Sequence, residues 1–508
     1  MFGLSRILTV YAIAIPLALV LGYVLATPDQ ITIMMVGLVV FSLALPILIQ
    51  WHHILLIFFW NAAFIFGFLP AQPQFWLVMA VLSFGISWLN GLLGGRRFLR
   101  APELTRPLLI LGGIVLLTGY LRGGIGVHAL GSTSAYGGRS YFWIVGAIVG
   151  YFALSAVRIP AAKANRTGRI FFLSGTTSVL PNIVFLLGPA FYILYYFLPS
   201  DYAMGQAVAE SGRQPGMTER FSGVSPACTA LICYFLVRWG IRGILSFARP
   251  WRLAMFIAAA LLSLAGGFRS SVIMIGLLLV CQFCVEGLWR TRFLPMVLGV
   301  GVMAAVMIVT FSDRMPLAAQ RAVSFLPVKV DPAVKADADF SVEWRVQMWQ
   351  ILLPQIPKYM LLGKGYSIDP EELYFAVIGG GAEDISAQTS MVSGDYHSGP
   401  LSTIIPIGLG GTLAFVWLLG AGIKVLYRNY RYGDPALRNI NAFFLAYFIT
   451  QIIFYFGVFG AFNSQLCVFT GLLGMSVSIN GGVRKRGQVP ARSVQQEAVL
   501  AGQVPVRA

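Results

Sequence analysis

The stretch LPMVLGVGVMAAVMIVTF, residues 294–311, carries no charged side chain. A helix rises about 1.5 Å per residue, so about twenty apolar residues cross the ~30 Å hydrocarbon core of a bilayer. Comparable apolar runs recur along nearly the whole chain. In hydrocarbon a backbone must satisfy its own hydrogen bonds, which a helix does. The sequence therefore predicts an all-α fold, a polytopic transmembrane helix bundle.

Composition excludes a soluble globular class. Of 508 residues, 57% are hydrophobic and 11% are charged, with a mean hydropathy of +0.78. A soluble domain carries about 25% charged residues, so this chain lacks the polar surface that water requires. The apolar windows predict about 12–14 spans. They cover residues 7–26, 31–49, 52–70, 74–93, 107–121, 141–157, 170–198, 226–240, 253–268, 270–288, 294–311, 399–422, 439–460 and 463–480.

The window 170–198 is too long for one straight span. It contains Pro181, Gly188 and Pro189, and these residues interrupt helices. We therefore expect a kinked or partly re-entrant segment there.

Lysine and arginine side chains are concentrated in alternate loops, all on the side where the chain begins. Cytoplasmic loops of membrane proteins are enriched in these residues, so we expect both termini in the cytoplasm. We interpret the first apolar run as a retained helix and not as a cleaved signal peptide. The net charge of +17 then reflects topology, and no nucleic-acid partner is expected.

One loop, residues 312–398, is far longer than the others and is predicted to lie on the outer face. Within it, residues 342–353 have the pattern of an amphipathic helix at the membrane surface, ended by Pro354. We divide the chain into four parts. They are an N-terminal transmembrane bundle (1–252), a central region that includes the loop (253–422), C-terminal transmembrane helices (423–480) and a disordered cytoplasmic tail (481–508).

Three polar residues on the predicted outer face are candidates for chemistry. His397 ends the long loop just before an apolar span, and an imidazole with a pKa near ~6.5 exchanges protons at ambient pH. Arg269 closes an apolar span, and Arg345 shares a helix face with Trp349. Guanidinium groups bind phosphate oxygens bidentately, so two outer arginines suit a pyrophosphate. Each residue also has an ordinary explanation as a solvated polar group, a snorkelling anchor or an ion-pair partner.

Other polar residues are explained without chemistry. We interpret Glu286 as a helix-end ion-pair partner of Arg290, four residues further on. His52 and His53 are interpreted as interfacial residues at the cytoplasmic boundary. The five cysteines lie in or beside apolar spans, so we expect packing roles and no disulfide framework.

The residues around His397 carry a family signature. His397-Ser398, nine residues, Gly408, two residues and Gly411 resemble the H-[N/S/Q]-x9-G-x-x-[G/T/Y] pattern of bacterial O-antigen ligases. Gly-Phe-Arg-Ser at 267–270 is similar to the arginine motif of that family, although Ser270 and Ser271 replace its usual glycine. Arg345-x-x-x-Trp349 followed by Gly363-x-Gly365 resembles the run that precedes its histidine. The resemblance covers about residues 253–420.

The resemblance implies a C-type glycosyltransferase in the bacterial inner membrane. Such an enzyme passes a glycan from undecaprenyl pyrophosphate to a glycan or lipid A-core acceptor at the periplasmic face, without a metal ion or cofactor. Residues 253–422 are then the catalytic region. His397 would be the general base, Arg269 and Arg345 would bind pyrophosphate, and Gly408 and Gly411 would border the substrate site while allowing close helix packing.

Alternatives stay open within and beyond this superfamily. O-antigen and exopolysaccharide polymerases and protein O-oligosaccharyltransferases share the donor and differ in the acceptor. A transporter or flippase would also be a many-span bundle, but should show repeated halves, paired interrupted helices or mid-membrane ionisable residues, and none of these is evident in the sequence. A structural scaffold would leave the outer arginines unexplained.

Overall fold

The fold is described by a computed structural model in which nearly all regular structure is helical. The described residues are 18, 22, 30–69, 72–94, 98–125, 128–130, 134–136, 138–211, 219–367 and 394–484. The predicted first span, 7–26, and the predicted tail beyond residue 484 lie outside them, apart from positions 18 and 22.

The helices are named α1 to α17 in chain order. They are α1 (Gln30–Phe59), α2 (Phe75–Gly94), α3 (Pro102–Arg122), α4 (Gly138–Ser155), α5 (Ala161–Leu173), α6 (Leu180–Leu187), α7 (Met204–Ser211), α8 (Val224–Ile244), α9 (Trp251–Ser263), α10 (Arg269–Val285), α11 (Phe293–Phe311), α12 (Leu317–Val323), α13 (Pro332–Leu352), α14 (Ile356–Tyr359), α15 (Gly399–Tyr432), α16 (Arg438–Gly457) and α17 (Phe462–Asn480). Two short antiparallel strands, β1 (His128–Leu130) and β2 (Ser134–Tyr136), form a hairpin between α3 and α4.

Among the described residues, eight helical segments are long and apolar enough to cross a membrane, or nine if the bent α1 counts as one span. The predicted windows 31–49 and 52–70 do not form two spans, because α1 covers the first window and only residues 52–59 of the second, and it bends by 88° near Pro46. The apolar helices α9 and α10 are only 13 and 17 residues long. The predicted count of about 12–14 therefore exceeds the number of described helices of spanning length.

The segment predicted from window 170–198 is interrupted, as expected. Ala161–Leu187 passes as one span of 27 residues and stops at Gly188, which has φ = 90°. A 3₁₀ helix, Pro189–Tyr196, follows and turns back against the α1–α2 connection, where the Gly67 N–H donates to the Tyr196 carbonyl at 2.7 Å. The interruption therefore ends one span, and the 3₁₀ helix that follows it has no buried residue.

Helices α4 and α17 form the centre of the bundle, whereas α11 lies at its periphery. Close approach at the centre depends on small residues: a Cβ on Gly474 would lie 2.9 Å from the Leu154 Cβ. In contrast, α11 has no buried residue. An apolar helix that is exposed on every side matches a lipid environment, which agrees with the prediction from its sequence.

Helix α8 contains a break at Gly240, with φ = 62° and ψ = 176°. The Glu286 carboxylate fills it: Oε1 accepts from the Ile241 N–H at 2.9 Å and Oε2 accepts from the Arg242 N–H at 3.4 Å. No ion pair joins Glu286 to Arg290 in the described part of the chain. The expected helix-end pair is thus replaced by a cap, because backbone donors freed by the break need an acceptor.

Candidate functional site

A buried arginine, Arg321 on α12, connects the long loop to the membrane helices. Its Nε donates to Asp337 Oδ2 at 2.7 Å, its Nη1 to the Gly267 carbonyl at 2.9 Å, and its Nη2 to Ser341 Oγ at 2.8 Å. The residue is only 5% exposed. Because these partners belong to α13 and to the turn before α10, Arg321 holds three separate segments in one arrangement.

Arg269 begins α10 and points toward α13. Its Nη2 donates to the Ala338 carbonyl at 2.6 Å. Two residues earlier, Gly267 has φ = 68°, and a Cβ there would lie 2.8 Å from Arg220 Cδ. A glycine at this position satisfies the left-handed backbone and lets Arg220 approach the turn.

Two further guanidinium groups complete the cluster. Arg220 and Arg345 each have a buried Nε with no hydrogen-bond partner among the described residues. Burial lowers the pKa of Arg345, and the charges of Arg269 and Arg321 lower it further, while Asp395 opposes them. Burial also lowers the pKa of Arg220 to about 10, with Arg321 adding to the effect.

Among the described residues, the cluster contains four arginines (Arg220, Arg269, Arg321 and Arg345) and three aspartates (Asp337, Asp339 and Asp395). Arg321 lowers the pKa of the other three arginines, and each of the aspartates raises the pKa of at least one of them. Cations removed from water are expensive unless they are paired, and two of these guanidinium groups have a buried Nε with no hydrogen-bond partner among the described residues. The chemistry of such a cluster suits an anionic ligand.

His397 lies beside this cluster. The residue has φ = 49°, which is unusual for a side chain other than glycine. Its backbone N–H donates to Asp395 Oδ1 at 3.2 Å, and its Nδ1 lies 3.6 Å from the same oxygen. Its ring is 5.0 Å from the Phe459 ring, centroid to centroid.

The charge state of His397 depends on three influences. Burial lowers its pKa most strongly, Asp395 raises it, and Arg345 lowers it. The resulting pKa is below the usual value of 6.5, so the imidazole is neutral at neutral pH. A neutral imidazole has one ring nitrogen that can accept a proton.

The position of His397 is set through its neighbour Tyr396. The Tyr396 carbonyl accepts from Trp349 Nε1 at 2.9 Å, and its N–H donates to Ser402 Oγ at 3.1 Å. A small apolar core surrounds it, formed by Met348, Leu352, Tyr359, Tyr396, Leu401 and Ile405. The predicted amphipathic helix over 342–353 is present as the second half of α13, and this core ties it to the start of α15.

Gly408 and Gly411 are placed in packing contacts. Gly408 breaks α15, with φ = 64° and ψ = −174°. A Cβ on it would lie 2.7 Å from the Gly363 nitrogen, and one on Gly411 would lie 2.7 Å from Ile407 Cγ1. The GxG turn docks here, since Gly365 N–H donates to the Pro406 carbonyl at 2.9 Å. Their predicted role in binding substrate stays a prediction.

A cavity of about 550 Å³ begins next to Arg269. Ser270 and Ser271 line it where α10 begins, and Trp60 and Phe454 contribute aromatic faces. Ser271 Oγ is hydrogen-bonded to Ser225 Oγ at 2.6 Å. The two serines that depart from the family motif therefore face an internal cavity and a neighbouring helix.

Sequence reasoning identified His397, Arg269 and Arg345, and the structure brings all three to one end of the bundle. It missed Arg321, Arg220 and Asp395 as members of the cluster. The outer segments contain several arginines and many acids, and no spacing distinguishes Arg321 or Arg220. Asp395 offered one signal, because it precedes His397 by two residues.

The fold is that of a multi-pass membrane protein in which an arginine cluster lies beside a histidine. Residues 253–416 match the family model described as O-Antigen ligase. The resemblance to the O-antigen ligase-like superfamily is confirmed over this segment, which supports a ligase or polymerase of the membrane glycosyltransferase type. No curated protein matches the chain.

Proposed function

We propose that this protein transfers a glycan from undecaprenyl pyrophosphate to an acceptor hydroxyl at the periplasmic face of the bacterial inner membrane. The observation that carries the proposal is the position of His397 beside Arg345 and its arginine cluster, in the segment that matches the family. Both termini would lie in the cytoplasm, because the basic loops favour that orientation. The acceptor we favour is a glycan or lipid A-core.

In the proposed reaction, His397 is the general base. As the acceptor oxygen attacks the anomeric carbon, its proton passes to the unprotonated nitrogen of the imidazole. The bond between that carbon and the pyrophosphate oxygen breaks, and the bonding electrons leave with undecaprenyl pyrophosphate. A positioned base contributes about 10²–10⁴-fold to such a step.

The arginine cluster would stabilise the leaving pyrophosphate. The Nε donors of Arg345 and Arg220, which have no hydrogen-bond partner in the described part of the chain, support this role. Arg269 and Arg321 already hold carbonyl and carboxylate oxygens, so they orient the cluster and add charge. Preorganised cations at the site of developing charge need no metal ion for this purpose.

Asp395 would position the base. Its Oδ1 is close to both the backbone nitrogen and Nδ1 of His397, so it favours the tautomer with the proton on Nδ1. The other nitrogen, Nε2, then carries the lone pair that accepts the proton. This relation between a carboxylate and an imidazole also compensates the charge that develops on the ring.

The test is glycan transfer by the full-length protein reconstituted in liposomes with a lipid-linked donor. We expect His397→Ala to lower the transfer rate by about 100-fold or more, because the base is lost. Arg345→Lys should also lower it, because a lysine cannot reproduce a bidentate guanidinium contact.

Arg139→Gln provides a matched control at the same end of the bundle. Arg139 stacks over Trp143 at 5.8 Å on α4 and does not belong to the cluster. Its substitution should leave transfer unchanged. Normal transfer by a correctly inserted His397→Ala protein would overturn the proposed mechanism.

A further inference from the structure

A second cavity, of about 390 Å³, lies at the other end of the bundle. Helix α4 connects the two ends: Tyr141 near its start accepts from the Tyr366 N–H at 3.0 Å, and Ala156 after its end lines this cavity. Fifteen residues of helix separate them by roughly 20 Å. The cavity is therefore remote from His397 and belongs to the face that the sequence assigns to the cytoplasm.

Two buried histidines form one wall of the cavity. His52 Nδ1 is 2.7 Å from Ser83 Oγ, and His53 Nε2 donates to the Leu154 carbonyl at 2.9 Å. These contacts fix both rings. They leave His52 Nε2 as a ring nitrogen with no partner in the described part of the molecule. The interpretation of the pair as ordinary interfacial residues does not explain why both are more than nine-tenths buried.

The cavity contains a third polar side chain, Ser87, whose hydroxyl has no hydrogen-bond partner among the described residues. Ser87 Oγ is buried, the residue is 8% exposed, and no described atom forms a hydrogen bond with it. A serine in a helix can satisfy its hydroxyl on a carbonyl of the preceding turn, but this one does not. An unsatisfied buried hydroxyl costs free energy unless a ligand supplies the partner.

The charge at the cavity has one sign. Arg158 and Lys163 line it and are exposed, and no aspartate or glutamate is found among its described lining residues. Basic side chains above buried hydrogen-bonding groups match a phosphate. Beside them, Ile49, Trp51 and Ile54 on α1 are each more than half exposed, which offers an apolar surface continuous with the cavity.

We propose that this cavity binds the phosphate head group of an anionic phospholipid. The phosphate oxygens contact Lys163 and Arg158 and accept from Ser87, while the acyl chains lie along the exposed face of α1. Basic pockets between membrane helices on the cytoplasmic side suit such head groups. The exposed apolar face distinguishes a lipid from free phosphate, which would leave that face without an occupant.

The experiment measures lipid binding by the delipidated full-length protein in detergent, by native mass spectrometry and by the thermal midpoint. Three probes are compared: phosphatidylglycerol, phosphatidylcholine and inorganic phosphate. We expect that, of the three probes, only phosphatidylglycerol stays bound during purification and raises the midpoint temperature of thermal unfolding. Lys163→Gln should weaken its binding about fivefold, the effect of one basic side chain near an anionic head group.

Arg166→Gln is the matched control, since Arg166 lies on the same helix, is exposed and does not line the cavity. It should bind phosphatidylglycerol like the unchanged protein. Ser87→Leu, which fills the cavity, should abolish binding; if it fails to fold, the comparison of Lys163 with Arg166 still decides. Equal binding of phosphatidylcholine, equal stabilisation by inorganic phosphate, or equal effects of the two α5 substitutions would overturn the proposal.

Discussion

Helices α15 and α8 are interrupted in the same way, yet different groups fill the two breaks. Gly408 and Gly240 have nearly identical backbone angles, with φ of 64° and 62° and ψ near 180°. Only glycine adopts this conformation at low cost. The break in α15 receives another stretch of backbone, whereas the break in α8 receives the carboxylate of Glu286.

The difference follows from what each break must hold. At Gly408, the Lys364 N–H donates to the Ile405 carbonyl at 2.7 Å and the Leu409 N–H donates to the Met360 carbonyl at 2.6 Å. The loop after α14 is thereby fixed next to the helix that begins two residues after His397. Gly240 lies sixteen residues along α8, roughly 25 Å from the arginine cluster, so its cap has only stability to maintain.

The largest effect is expected from Gly408→Ala. The backbone conformation alone costs about 1–3 kcal/mol for alanine. The added Cβ would also lie 2.7 Å from the Leu361 carbonyl oxygen and the Gly363 nitrogen, which are backbone atoms and cannot easily move. We therefore expect a lower melting temperature in detergent and a loss of glycan transfer per folded molecule. Unchanged glycan transfer by Gly408→Ala would show that the break in α15 does not affect the functional site.

Gly240→Ala should have a smaller effect. The cost of the backbone conformation is the same, about 1–3 kcal/mol. Here, however, the nearest atom to the new Cβ is Glu286 Oε1 at 2.8 Å, the end of a flexible side chain. The melting temperature should fall less than in Gly408→Ala, and transfer per folded molecule should stay normal. A drop in specific transfer would show that the two ends of the bundle are coupled.

Substitution of Glu286 tests the same break without changing the backbone at Gly240. Glu286→Ala removes the acceptor for the Ile241 N–H and should destabilise the protein by about 1–3 kcal/mol. Glu286→Gln keeps one acceptor oxygen and should cost less. Thermal unfolding of the two variants side by side measures the difference. Equal midpoints for both would mean that the carboxylate does not cap the break.

The smallest effects concern the pH dependence of transfer. The rate should fall as the pH drops through the pKa of His397, because the base must be neutral. Asp395→Asn removes the charge that raises this pKa, so the fall in transfer rate should occur at lower pH. Arg345→Gln removes a charge that lowers the pKa of His397, so the fall in transfer rate should occur at higher pH.

The pH–rate profile of the residual activity measures both shifts, and Glu286→Gln, at the opposite end of the bundle, serves as the control that should not move it. Shifts of the same sign in the two site variants would contradict the proposed surroundings of the base.

Much of the fold was predictable because apolar runs identify membrane helices directly. The windows near 74–93, 226–240, 294–311 and 463–480 correspond to α2, α8, α11 and α17. The count of spans was less predictable. A run of apolar residues does not reveal that α1 bends near Pro46, or that α9 and α10 stop short of a full span.

The candidate site was partly predictable for a similar reason. His397, Arg269 and Arg345 stand out because each is a polar residue in a motif beside an apolar segment. Arg321 is more important to the architecture than any of them, since it contacts Asp337, Gly267 and Ser341 at once. Nothing in its local sequence indicates this, because its partners come from other helices and turns.

By itself the sequence determined that this protein is a helical membrane bundle with a histidine motif after its long loop, and it predicted basic loops on one side of the membrane. These properties depend on local composition and on spacing along the chain. An apolar segment forms a helix because its backbone must satisfy its own hydrogen bonds in hydrocarbon, and basic residues favour the cytoplasmic side of the membrane. Tertiary structure decided that four arginines share one site and that Glu286 caps a broken helix. It also decided that two histidines close a second cavity. These outcomes depend on residues distant in the chain, whose charges and hydrogen bonds meet only after the helices pack.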